Sequence, residues 1–227
     1  WEEDYEYAPL KSSVVAMLYT RGRADMAAFT AAHEADAAPG VRFRYSSGDS
    51  NVLAAALRGM VGEQAYADYP WAALFEPLGI TSAVWERDGA GTFVASSYAY
   101  LSARDLARVG LLMQRGGRWQ QRQLLPAAWV EFVSTPFAGY QPQLAKPGDA
   151  VPGGHWWLNV ELPGSTRPWP DAPADTIAAL GHWGQGLYVM PQEKLVVVRY
   201  ADDRDRSFQH NELLKRVQAA FATEVQP

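Results

Sequence analysis

The chain has 227 residues, 48% of them apolar, a net charge of -5 and no cysteine, enough length and apolar content for one packed domain or two small ones. Acids and bases are interspersed, so there is no basic footprint for nucleic acid. The lack of cysteine excludes disulfides, thiol nucleophiles and thiolate metal sites and leaves the compartment open.

No apolar run approaches the roughly 20 residues of a membrane-spanning helix. The opening Trp1-Glu2-Glu3-Asp4-Tyr5 has neither an initiator Met nor a signal-peptide pattern, and it starts on an aromatic side chain that needs cover. A portion preceding Trp1 is therefore expected to be missing. Ser12-Ser13 followed by an apolar run reads as a Ser-capped short helix, and the Ala-rich stretch 26–33 as a second one, stopped by Pro39-Gly40.

From Pro39 the pattern changes to a turn, a strand and a helix start. Val41, Phe43 and Tyr45 alternate with Arg42, Arg44 and Ser46 at strand period, and Asp49, Ser50 or Asn51 can cap a helix over 52–60. Tyr45 and Ser47, two apart, then project the same way into the space before a helix N-terminus. Either they carry chemistry, or Tyr45 finishes a core strand and Ser47 bonds locally in a turn.

Further helical turns are predicted over 64–69 and near 71–75, ended by Pro77-Leu78-Gly79, and a short strand at Ala83-Val84-Trp85. The clearest helix starts at Ser102. Asp105 is its capping-box acid, Leu101, Leu106, Val109, Leu112 and Met113 form its apolar face, and Gly116-Gly117 stop it. A shorter helix follows Pro126, and 155–160 reads as a strand among loops. Gly186 to Met190 and Lys194 to Tyr200 form a hairpin whose apolar second strand belongs inside a sheet. The helix over 210–221 sets Leu213, Leu214, Val217 and Phe221 on one side. This order predicts an α+β fold with an antiparallel sheet, arranged as one domain over 1–227, mainly helical and loop over 1–178 and sheet hairpin plus helix over 179–227.

A second candidate site is Leu180-Gly181-His182-Trp183-Gly184-Gln185-Gly186, where glycine allows close approach of a ligand backbone. His182 can offer a donor or a positive charge, and the Gln185 N–H can polarise a carbonyl oxygen. The alternative is a Gly-rich bulge with a surface His. The histidines His33, His155, His182 and His210 lack ligand-like spacing, so no metal site is expected. Gly116-Gly117 lacks the Lys-Ser or Lys-Thr of a phosphate loop. Glu2, Glu3 and Asp4 read as solvated acids rather than a glycosidase pair. Trp156-Trp157 either line a pocket or lie in the core.

Together these residues resemble the serine β-lactamase-like family of class C β-lactamases, penicillin-binding proteins and esterases, and within it the 6-aminohexanoate-dimer hydrolase-like branch. Pro39-Gly40-x-x-Phe43-x-Tyr45-Ser46-Ser47 resembles the second active-site motif, and His182-Trp183-Gly184 stands where the third is expected. Leu74 to Gly79, Ser102 to Gly110 and Trp129-Val130 resemble landmarks between them. The first motif, Ser-x-x-Lys, is absent from these 227 residues, so the resemblance covers the part of the family that follows the nucleophile.

The resemblance implies a serine hydrolase acting on amide, ester or β-lactam bonds, with no cofactor and with a small amide, ester or short peptide as substrate. Oligomeric state stays open, pairing with the absent portion included, and the bacterial envelope or cytoplasm is the expected location. Tyr45 is implied as general base, its phenol lowered by the motif lysine, and Ser47 stands where class C enzymes carry Asn. His182 would orient the polar end of the substrate, and the Gln185 N–H beside Gly184 would serve the oxyanion hole. Tyr5, Trp156 and Trp157 would line the pocket. The chain alone is then expected to be inactive. The alternative is a non-catalytic binding or regulatory homologue that keeps the cleft.

Overall fold

The structure, a computed structural model, describes residues 1–6, 8–145 and 149–224. It divides into two compact units, Trp1–Pro39 with Arg44–Asp105, and Gly40–Phe43 with Leu106–Pro227. The division falls near residue 105, and the main sheet begins at Val151, well before the 179 expected from sequence.

The first unit is mostly helical. Ser12 caps α1 (Ser13–Tyr19) through its side chain, and Asp25 caps α2 (Met26–Ala31). The next helix, α3 (Ser47–Val61), starts earlier than its apolar run suggests: Ser46 is the cap, its Oγ accepting the Asp49 N–H at 3.1 Å. Asp49, Ser50 and Asn51, the predicted caps, lie inside the helix. Residues 41–46 form no strand; the Phe43 ring packs 6.1 Å from Trp157, 6.1 Å from Tyr140 and 6.4 Å from Phe137 instead of extending a ladder.

Helix α4 (Glu63–Tyr66), a π-helical turn at Trp71–Phe75 and α5 (Glu76–Leu78) follow, and Gly79 ends them in the left-handed region. A small ribbon pairs β1 (Val84–Trp85) with β2 (Ala99–Tyr100). Val14, Met17, Leu18, Met26 and Val94 form this unit's core, with Trp1 and Tyr5 packed against it, so the aromatic opening of the chain is covered.

Helix α6 (Ala103–Gln114) is capped as predicted, Ser102 Oγ accepting the Asp105 N–H at 3.2 Å. The Asp105 carboxylate does not complete a capping box. It accepts the Ser82 N–H at 3.0 Å, the Thr81 N–H at 3.3 Å and the Ser82 hydroxyl at 2.5 Å.

In the second unit, the ribbon of β3 (Arg118–Trp119) and β4 (Arg122–Gln123) and the helix α7 (Ala127–Val133) precede an antiparallel five-stranded sheet. Its order is β5 (Val151–Pro152), β6 (Trp157–Leu158), β7 (Ile177–Gly181), β8 (Gln185–Met190), β9 (Leu195–Arg199). Alternation sends Leu187 and Val189 to one core and Tyr188 and Met190 to the other. Among the described residues β9 is the last strand in the order of this sheet, paired with β8. Both of its faces are covered, Val196 and Val198 by one core and Leu195 and Val197 by the other. Helix α8 (His210–Glu224) closes the chain with Leu214 fully buried, whereas Phe221 stays 49% exposed, off the expected apolar face.

Candidate active site

The entry to α3 gathers hydroxyls around one carboxylate. Glu3 Oε2 accepts the Ser47 N–H at 3.1 Å and the Trp1 indole N–H at 2.5 Å, and Oε1 accepts the Ser47 hydroxyl. An acidic side chain at a helix N-terminus satisfies an orphan donor and complements the helix dipole. Glu3 is thus built into the helix start rather than solvated. Asn51, buried one turn on, donates to Ser47 O at 2.9 Å and Ser96 Oγ at 3.0 Å, and accepts the Ala95 N–H at 3.0 Å.

Ser47 is 5% exposed and Tyr45 is 53% exposed, and both lie by Glu3, Ser47 through its hydrogen bonds and Tyr45 through the charge that raises its phenol. Ser46 is extended at φ -149° and ψ 116° and helix follows from Ser47, so the strand-like stretch ends at this cap. Burial pushes the Tyr45 pKa up, and the Glu3 carboxylate adds to it. That is opposite in direction to the lowering expected from a motif lysine. Tyr5 is pushed up to about 12, by burial first, against a hydrogen bond with Ser47 and with help from Glu3, Tyr45 and Tyr19.

In the second unit the turn 182–184 joins β7 to β8. Trp183 lies in the left-handed region at φ 54° and ψ 39°, and Gly184 follows at φ 84°. The glycines here make room for the protein's own side chains. A Cβ on Gly184 would lie 2.2 Å from Arg199 Nη1, one on Gly186 2.7 Å from the Tyr188 ring, and one on Gly181 2.9 Å from Gln185 Cβ. His182 and Trp183 are exposed, their rings 4.6 Å apart.

Strand register decides which way the backbone donors face. Asn159 N–H donates to Thr176 O at 3.0 Å, so alternate residues of β7, Ala178, Leu180 and then His182, turn their backbone groups to the β6 side. The register pairs β6 with β7 at Leu158 with Ile177 and Trp157 with Ala178, and Gly181 is extended at ψ 171°, which carries the alternation to the His182 N–H. The Gly184 carbonyl instead accepts Arg199 Nη1 at 2.6 Å, on the β9 side. A planar trans peptide then turns the Gln185 N–H the other way, toward its register partner Gly181 within the hairpin.

The Trp pair splits, Trp156 packing on one core of the sheet and Trp157 on the other, so the two do not line one surface. Sequence reading missed Glu3, Asn51 and Arg199. Among the described residues no cluster of His, Cys, Asp or Glu could hold a metal ion, and no helix is long and apolar enough to cross a membrane.

The family model described as Beta-lactamase matches residues 2–220. The chain belongs to the beta-lactamase family. A 6-aminohexanoate-dimer hydrolase of Paenarthrobacter ureafaciens is 28% identical over 177 residues, 74% of this chain and 41% of that protein; the chain spans about two fifths of that curated relative's length. A solved Bacillus anthracis structure, assigned as a 6-aminohexanoate-dimer hydrolase, superposes with TM-score 0.71 at 19% identity, over 100% of this chain and 57% of that one. A β-lactamase from Mycobacterium bovis gives TM-score 0.58 at 20% identity, over 84% of this chain and 67% of that one. These structural likenesses establish a β-lactamase-like α+β fold for this family member.

Proposed function

We propose that these 227 residues carry the base-bearing part of a serine hydrolase that cleaves amide or ester bonds, with the nucleophile and its lysine supplied by residues outside them. The observation that carries the reading is Tyr45, half exposed two residues ahead of a buried Ser47 at the start of α3, in a chain matched to the family over 2–220. In the reaction Tyr45 takes the proton of the attacking serine and returns it to the leaving amine or alkoxide. Its phenol, pushed up in these residues, needs the motif lysine nearby to come down into a working range.

Ser47 supplies a hydroxyl where class C enzymes carry an amide. It is shorter than that amide and lacks its N–H donor, and its hydroxyl is engaged by Glu3, which weighs against efficient β-lactam hydrolysis. His182 orients the substrate's polar end. The backbone N–H that polarises the scissile carbonyl is assigned to His182 rather than to Gln185, because register and peptide planarity turn the Gln185 N–H into the hairpin. Removal of one such donor costs roughly 3–4 kcal/mol in comparable hydrolases.

The absence of Ser-x-x-Lys within the chain favours a second reading, a non-catalytic homologue that binds without turnover. The two part on the gene's complete product. If it carries Ser-x-x-Lys and hydrolyses p-nitrophenyl butyrate, and Tyr45→Phe abolishes that hydrolysis while keeping the circular dichroism spectrum, the enzyme reading stands. Unchanged turnover in Tyr45→Phe sinks the base assignment, and a complete product without the motif sinks the enzyme reading.

A further inference from the structure

All three carbonyls of the β7–β8 turn are tied to side chains or backbone that lie beyond the turn itself. His182 O accepts Gln185 Nε2 at 3.2 Å, Trp183 O accepts the Asp203 N–H at 3.0 Å, and Gly184 O accepts Arg199 Nη1 at 2.6 Å. Gln185 also exchanges two bonds with Ala201, Nε2 to Ala201 O at 2.5 Å and the Ala201 N–H to Oε1 at 3.1 Å. The Trp183 ring lies 4.2 Å from the Arg204 guanidinium carbon. Such anchoring is what a non-glycine left-handed residue requires, since that backbone region is otherwise disfavoured.

Of the three carbonyl ties only the one from Arg199 is charged. The Arg199 side chain is also held from behind. The guanidinium carbon sits 3.5 Å from the centre of the Phe208 ring, and the Phe208 N–H donates to Asp203 Oδ2 at 3.3 Å. A guanidinium stacked on a ring on one side and bonded to a carbonyl on the other has little freedom. A planar peptide transmits that fixity, because holding the Gly184 carbonyl sets the direction of the Gln185 N–H in the same plane. Glycine at 184 is what allows the guanidinium so close, a Cβ there falling 2.2 Å from Nη1.

We propose that Arg199 is a positioning residue, which sets the conformation of the 182–184 turn through the Gly184 carbonyl without touching substrate. Its consequence for turnover rests on the hydrolase reading above. Two measurements separate the claims. In the 227-residue chain, hydrogen–deuterium exchange of amides 182–186 should quicken about tenfold or more in Arg199→Met. It should quicken less in Arg199→Lys, which keeps a charged donor, while exchange in α3 stays at the wild-type rate as the folding control.

In the complete protein, kcat for p-nitrophenyl butyrate should fall about 10- to 100-fold in Arg199→Met with KM within about threefold, and Lys should recover part of it. Unchanged exchange at 182–186 overturns the proposal, and so does loosened exchange with wild-type kcat. A wild-type complete protein without turnover would instead overturn the hydrolase reading and leave Arg199 to be judged on exchange alone.

Discussion

Replacing Glu3 tests whether the acidic opening of the chain is part of the α3 start. Its carboxylate receives three donors, the Ser47 N–H, the Ser47 hydroxyl and the Trp1 indole N–H. Hydrogen bonds to a charged acceptor contribute about 1.5–3 kcal/mol each when buried, less where water can replace them. Glu3 is partly buried, and the three bonds share one side chain, so Glu3→Ala should cost about 2–3 kcal/mol rather than the sum. For a chain of this length that is roughly 4–12 °C in the thermal midpoint.

Glu3→Gln should behave differently. A glutamine oxygen can accept both the Ser47 N–H and the Trp1 N–H, and its NH2 can donate to the Ser47 hydroxyl, which accepts as readily as it donates. Only the charge opposite the helix dipole is lost, about 0.3–1 kcal/mol. Thermal and urea unfolding at neutral pH, followed by circular dichroism, gives the comparison. Both substitutions also remove a charge that holds the Tyr5 and Tyr45 phenols up, so both tyrosines should ionise at lower pH by ultraviolet titration. Glu3→Ala within about 0.5 kcal/mol of wild type, the usual range for an uninvolved surface residue, would refute the reasoning, and so would Glu3→Gln as costly as Glu3→Ala.

Alkaline pH gives a second test. The folded-state phenols of Tyr5 and Tyr188 are pushed up to about 12, above an unfolded value of about 10. Their contribution is complete below the unfolded value and is lost as pH rises through the folded one. The urea midpoint should fall between about pH 10 and 12, and Tyr5→Phe should flatten that fall; a midpoint constant across this range would contradict the burial. On the acid side, burial and Arg199 hold the His210 pKa below its usual value, so its contribution is present above about 6.5 and declines as pH falls below that, a decline that should disappear in His210→Gln. At Gly110 an added Cβ would meet Val196 Cγ1 at 2.5 Å and Leu187 Cδ1 at 2.8 Å. Overpacking of about 1–3 kcal/mol should outweigh a helix-propensity gain of about 1 kcal/mol, so Gly110→Ala should unfold earlier, and a raised midpoint would count against the close packing of α6 on β8 and β9.

What the sequence disclosed was local. Ser102 and Ser12 read as caps because a hydroxyl precedes an apolar period, and both caps form. The α3 start was misread by several residues because Ser46, Asp49, Ser50 and Asn51 all suit a cap. The choice was made by distant groups: Asn51 is drawn inside by Ser96 and Ala95, and the Ser47 N–H is met by Glu3, 44 residues away in sequence. Asp105 was legible as a helix-start acid, but not as the acceptor for Thr81 and Ser82.

The apolar run of β9 was legible as a strand covered on both faces, and the two cores of the sheet do cover it. In the turn 182–184 the residues were legible and their use was not. Glycines that suggested space for a ligand are filled by Arg199, Tyr188 and Gln185, contacts that depend on β8 and β9 being in register.

The most direct test of the central claim is intact-mass spectrometry after mixing with a slowly deacylating p-nitrophenyl ester, run on the gene's complete product, on its Tyr45→Phe variant and on the 227-residue chain. An acyl adduct is expected on the complete product, a greatly slowed adduct in Tyr45→Phe, and none on the chain alone. An adduct on the chain alone, or equal acylation rates with and without the Tyr45 hydroxyl, would contradict that claim.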